Sequence, residues 1–82
     1  MRPIVTFYIQ GYTLTELIYV FSLKEEDLQD LFDELTPKVV KKHNKNLHKR
    51  ILKMNKQGYP VKAINQITGI SSNTIWNIIY SE

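Results

Sequence analysis

Gln10-Gly11-Tyr12 and Gln57-Gly58-Tyr59 are the same tripeptide, 47 residues apart in a chain of 82. Sliding the chain by 47 without a gap lays one apolar register on another. Ile4 falls on Ile51, Val5 on Leu52, Phe7 on Met54, Leu14 on Val61, Leu17 on Ile64, Val20 on Ile67 and Leu23 on Ile70. Leu28 then meets Ile75, Leu31 meets Ile78 and Phe32 meets Ile79. More apolar positions coincide than composition alone produces. Whatever supersecondary unit one stretch forms, the other is expected to form too. A chain this short buries a small share of its surface and depends on tight packing, a staple or a partner chain. Cys is absent, so neither a disulfide framework nor a thiolate metal site is available.

Glycine and proline set the boundaries. Thr36-Pro37 reads as an N-cap followed by proline at the first helical position. From there Val39, Val40, His43, Leu47, Arg50, Ile51 and Met54 recur at steps of three and four with Lys between them, which predicts one amphipathic helix over 37–56, stopped by Gly58. Asn44 and Asn46 are indifferent helix formers and mark where it could break. A short helix over 61–68 follows, with Val61, Ile64 and Ile67 inward and Gly69 supplying a left-handed end. Ser71 or Ser72 caps a last helix carrying Ile75, Ile78 and Ile79 on one side. Two short helices joined by Gly-Ile-Ser form a helix-turn-helix pattern. The expected fold is all-α: two tandem helix-turn-helix units bridged by a long basic helix. The units are an acidic one at 1–36, the bridge at 37–56 and a second unit at 57–82. A rival reading takes Ile4-Val5-Thr6-Phe7-Tyr8-Ile9 as a strand, because β-branched and aromatic residues dominate there.

The stretch from about 51 to 80 resembles the helix-turn-helix of the resolvase/invertase recombinases and of related small bacterial and phage regulators and transposases. The residues that carry the likeness are Gln57-Gly58-Tyr59, Ile64, the turn Gly69-Ile70-Ser71, and Asn73-Thr74-Ile75-Trp76. Asn65 and Thr68 depart from the family pattern, which usually has Ala and an aliphatic residue there. No recombinase catalytic domain is expected beside it, so the resemblance does not imply recombination itself. The resemblance implies that the helix opening at Ser71 or Ser72 is a recognition helix, with a degenerate second copy of the motif at about 4–35.

Charge separates the two copies. Residues 1–36 sum to −5 and residues 37–82 to +8, although the whole chain is only +3. A polyanion responds to the face it meets, so the second half suits phosphate and the first does not. A recognition helix presents its N-terminal residues to base edges, which here are Ser72, Asn73, Thr74 and Asn77. Asn pairs with adenine and the Thr methyl touches the thymine methyl; with no Arg in this helix for guanine, the readout is expected to favour A·T. Lys41, Lys42, Lys45, Lys49, Arg50, Lys53, Lys56 and Lys62, with Ser71 and Trp76, are the expected phosphate contacts.

In the first copy the corresponding helix reads Lys24 to Glu34 with six carboxylates, which would repel a phosphate backbone. Tyr8, Tyr12, Tyr19, Phe32, Glu26 and Asp30 are therefore the expected face for a second copy or another regulatory protein. His43 and His48 stand five apart on a helix and do not converge, and no phosphate loop, catalytic triad or metal-ligand spacing is present. No enzyme activity, cofactor or metal is expected.

No apolar run approaches the roughly 20 residues that span a bilayer, and Met1-Arg2-Pro3 with Ile4 to Ile9 is too short for a signal sequence. The expectation is a soluble, cytoplasmic, nucleoid-associated transcriptional regulator bound to double-stranded DNA. Two alternatives stand beside it: a protein-binding anti-repressor or recruiter, and a DNA-packaging or nucleoid assembly protein.

Overall fold

Each proline opens a helix, and each glycine closes one at positive φ. Pro3 and Pro37 occupy first-turn positions and Pro60 is an N-cap. Gly11 and Gly58 lie just beyond helix ends, and Gly69 is itself a C-cap. The structure, a computed structural model, describes residues 2–81. It contains α1 (Pro3–Ile9), α2 (Leu14–Phe21), α3 (Glu25–Asp33), α4 (Pro37–Lys56), α5 (Val61–Thr68) and α6 (Ser72–Tyr80), and among the described residues no strand. The fold is all-α.

The 47-residue offset carries over to the helix bounds. Adding it to α2 reproduces the limits of α5, adding it to α3 reproduces those of α6, and the end of α1 falls on the end of α4. Ser22, in the left-handed region at φ 51°, ends α2 at the position corresponding to Gly69.

Residues 3–9 are helical rather than extended. A strand would place Val5 and Tyr8 on opposite faces. In the helix they are one turn apart, and both are buried against Leu17 and Leu31. That burial outweighs the weak helix propensity of the β-branched residues. Thr13 caps α2 in a box: its Oγ1 accepts from the Glu16 N–H at 3.3 Å, and its own N–H donates to Glu16 Oε1 at 3.2 Å. Asp27 caps α3 by accepting the Lys24 N–H at 2.9 Å. Thr36 Oγ1 accepts the Val39 N–H at the start of α4. The long helix then runs unbroken through Asn44 and Asn46.

Two apolar clusters form. Val5, Tyr8, Leu17 and Leu31 make the first; Ile51, Ile64 and Ile75 make the second. Helix α4 belongs to both, through Val39 at its start and Leu47, Ile51 and Met54 further on. It is thus a shared wall and not only a bridge. The clusters also meet directly where the Thr13 hydroxyl donates to the Thr68 carbonyl at 2.6 Å, joining the start of α2 to the end of α5. Helix α6 lies close against both α4 and α5, whereas α3 makes no comparably close approach to α1 or α2. Leu31 anchors α3, and Glu34 at its end pairs with Arg2.

Three side chains of α4 hold the end of α1. His43 Nδ1–H donates to the Tyr8 carbonyl at 2.6 Å, Asn46 Nδ2 to the Ile9 carbonyl at 2.6 Å, and Arg50 Nη1 to the Gly11 carbonyl at 2.7 Å. Gly11 sits so close that a Cβ there would lie 2.8 Å from the backbone of Asn46 and Leu47, while Gly58 has open space around it.

The identical tripeptides should therefore respond unequally to substitution. Gly11→Ala combines left-handed strain with overpacking, and should cost about 2–4 kcal/mol. Gly58→Ala meets only the strain, about 1 kcal/mol. Urea unfolding of the two variants measures the difference, and equal losses would contradict the close approach of α1 to α4.

Burial pushes the His43 pKa below its ordinary value of 6.5; Arg50 adds to this, and the hydrogen bond to Tyr8 opposes it. A histidine kept neutral by the fold contributes stability that is complete above pH 6.5 and is lost as pH falls from there through the lowered folded value. Stability measured by urea unfolding should be level above that pH and decline below it. His43→Gln should remove that part of the slope, and a slope unchanged in the variant would assign the acid sensitivity elsewhere.

Candidate nucleic-acid interface

The turn between α5 and α6 is held by side chains that bond backbone. Ile64 is fully buried, and Thr68 beneath it directs its hydroxyl to the Ile64 carbonyl at 2.7 Å while accepting the Ile70 N–H at 3.2 Å. Asn65 Nδ2 donates to the Ile70 carbonyl at 2.5 Å. These are the two residues that depart from the resolvase/invertase pattern, and both serve the turn. Gly69, at φ 74°, ends α5 with its Cα against Thr15 of α2. Ser71, rather than Ser72, is the N-cap of α6: its Oγ accepts the Thr74 N–H and lies 2.9 Å from the Thr74 hydroxyl.

Helix α6 seats Ile75 in the core, with Ile78 and Ile79 half-buried beside it. At about 100° per residue, Asn73 and Asn77 then fall on the opposite side of the helix. Ser72, Asn73, Thr74 and Asn77 are all exposed. Asn73 and Asn77 share the outer face. The hydroxyls of Ser71 and Thr74 engage each other at its edge. Trp76 stacks on Tyr80, ring centroids 5.3 Å apart and planes 13° from parallel, and both remain exposed along the same side of the helix. Tyr80 went unnoticed in the sequence; its signal was the four-residue spacing from Trp76.

On α4, six lysines (Lys38, Lys42, Lys45, Lys49, Lys53 and Lys56) fall within an arc of about 80° and along about 27 Å of helix. All six are exposed, and among the described residues none forms an ion pair. Lys41 flanks the stripe, and Lys62 stands exposed on α5. Lys49, Leu52, Lys53 and Lys56 line a shallow hollow.

Arg50 does not join them. Its guanidinium forms a two-pronged pair with Glu16 at 2.8 and 3.0 Å, reaches the Gly11 carbonyl, and lies 4.4 Å above the Tyr12 ring. A group with those partners is not free for phosphate, and its place among the phosphate contacts is withdrawn. Two members of the expected partner face are also displaced. Tyr8 is 7% exposed, its ring stacked 3.8 Å from His43. Tyr12 is half-buried, edge-on to Phe7 and beneath Arg50. Tyr19, 87% exposed, and Phe32, Glu26 and Asp30 do face solvent. Between α2 and α5, Thr15, Glu16, Tyr19, Val20, Gln66 and Ile67 line an open groove of about 370 Å³. None of the described helices is long and apolar enough to cross a membrane. In comparisons with known proteins, no family, no curated protein and no solved structure matches this chain.

The Thr68 hydroxyl makes a direct test of what orients α6. Thr68→Val keeps the shape and leaves the Ile70 N–H without its partner, which should cost about 1–2 kcal/mol. Thr68→Ser retains the hydroxyl and should preserve the slow exchange of the Ile70 amide. Amide hydrogen exchange at Ile70 reads the difference, and unchanged protection in the Val variant would show that the turn does not rely on this bond.

Proposed function

We propose that this chain is a small DNA-binding transcriptional regulator that places α6 in the major groove. In this reading α5 and α6 act as a helix-turn-helix of the resolvase/invertase type, and α2 and α3 as a degenerate second copy. The observation that carries it is the unpaired lysine stripe of α4. Exposed lysines with no acidic neighbour on their own helix lower the energy of any nearby polyanion and supply sequence-independent affinity. Reading of sequence falls to α6, whose outer face presents two asparagines one turn apart, with Ser72 and Thr74 exposed in its first turn. Asparagine pairs with adenine edges, so A·T-rich sites are favoured. Trp76 and Tyr80 give that face a flat apolar flank for the sugar-phosphate edge. Binding of this kind would bring the protein to the nucleoid.

A second reading, recruitment of another protein or a second copy through the N-terminal unit, is favoured by two observations. Tyr19 and Val20 are exposed beside the α2–α5 groove, and the acidic outer residues of α3 cannot approach phosphate.

Gel shifts on a selected site and on random duplex, over a range of salt, test the main reading. Replacing Lys42, Lys45 and Lys49 with Ala should weaken binding to both duplexes. It should also flatten the salt dependence by up to about 0.9 in slope per lost contact. Asn73→Ala or Asn77→Ala should cost about 1–3 kcal/mol on the selected site and little on random duplex. Failure of the intact chain to shift any duplex would refute DNA binding and leave the recruitment reading.

A further inference from the structure

The lysine stripe and the outer face of α6 point in different directions. On α4, the residues that enter the second cluster (Leu47, Ile51 and Met54) lie about 140–200° around the helix from Lys49. Helix α6 packs against this apolar side of α4, through Ile75 and its neighbours. The hollow among Lys49, Leu52, Lys53 and Lys56 contains no residue of α5 or α6. On α6, Asn73 and Asn77 are likewise opposite the side that carries Ile75. Two packed helices, axes about 8–10 Å apart, thus turn their polar faces outward on opposite sides of one shared core. A straight duplex with α6 in its groove touches the outer face of α6 and leaves the lysine stripe on the far side of the protein.

From this we propose that the chain carries two separate DNA surfaces and that one copy joins two duplex segments. One segment takes α6 in its major groove, and the other lies along the α4 stripe and is held through its phosphates. The stripe fits the second role by charge and length. Six ammonium groups over about 27 Å span roughly eight base pairs. The stripe offers no shape or hydrogen-bonding pattern beyond charge, so its segment is bound without regard to sequence. The inference rests on the DNA reading above, which assigns both faces to DNA without requiring that they hold different segments.

A two-duplex capture assay separates the possibilities. One duplex is tethered to beads, the full chain is added, and recovery of a second, fluorescent duplex is measured beside a gel shift of each duplex alone. The intact chain should recover the free duplex, with recovery falling again at large protein excess as every surface fills independently. A Lys42→Gln, Lys45→Gln, Lys49→Gln variant should bind each single duplex more weakly, keep its preference for the selected site over random duplex, and lose at least tenfold in capture at protein concentrations that restore the single-duplex shift. An Asn73→Asp, Asn77→Asp variant should lose capture and site preference while still shifting random duplex at low salt. All of these positions are exposed, so the variants should keep their helices, which circular dichroism checks. An intact chain that shifts single duplexes but never captures a second one overturns the two-surface inference and leaves the DNA reading standing. Capture that persists in the lysine variant overturns it as well, because the two α6 faces of a paired protein would then be joining the duplexes. No shift of any duplex refutes both.

Discussion

The end of α1 depends on α4. A helix of seven residues is too short to persist by its own hydrogen bonds, and its last carbonyls have no partner within it. Here those carbonyls are met from outside. His43 and Asn46 donate to the last two, Tyr8 and Ile9, and Arg50, a turn further along α4, donates to Gly11 just beyond the helix end. The bonds can form only because Gly11 lets the two backbones come close. Arg50 also places positive charge at the negative end of the α1 dipole. From this junction α1 is fixed on α4, Tyr8 is stacked on His43, and α2 is oriented by the Arg50–Glu16 pair.

The same junction shapes the surface charge. Arg50 is drawn inward and takes Glu16 with it, so one basic and one acidic group leave the outer field together. The remaining cations of α4 are exposed lysines, long and flexible, with no partner among the described residues. The remaining acids among the described residues gather on α3 and its C-cap. Those in its first turn suit the positive end of that helix, where Asp27 is also the cap. The charge asymmetry between the halves of the sequence is therefore a difference between separate helices.

Much of the fold was legible because it is written in local signals. Thr36-Pro37 and Gly58 bound α4, and Gly69 followed by Ser71 bounds α5 and α6. The pattern of residues 4–9 was less decisive, because helix and strand both make apolar use of a run with only Thr6 as a break. What selected the helix was burial against residues 17 and 31, which no local rule contains. The candidate surfaces were legible in the same uneven way. Asn73, Asn77 and the lysines are exposed because their own helices turn them away from the core. Arg50, Tyr8 and Tyr12 were misplaced because their partners lie more than 30 residues away or depend on how α1 crosses α4. Thr68 and Asn65 looked like departures from a pattern; in the structure they bond the turn they flank.

A repeated register need not imply repeated duty. Gly11 and Gly58 share a tripeptide and a positive φ, yet one is pressed against another helix and the other faces open space. The difference follows from what precedes each. Helix α1 ends at the first glycine and must be carried by another element. The second glycine ends α4, whose 20 residues already pack in both clusters. The same asymmetry reaches the last helix of each unit. Helix α6 is pressed against α4 and α5 by a row of isoleucines, so its outer face is held in one direction. Helix α3 stands further from its neighbours on a single buried leucine and an end-to-end ion pair. A helix held firmly with a neutral, hydrogen-bonding outer face suits a surface that must match the spacing of base edges. A helix held at fewer points and bearing carboxylates does not, even though both occupy equivalent places along the chain.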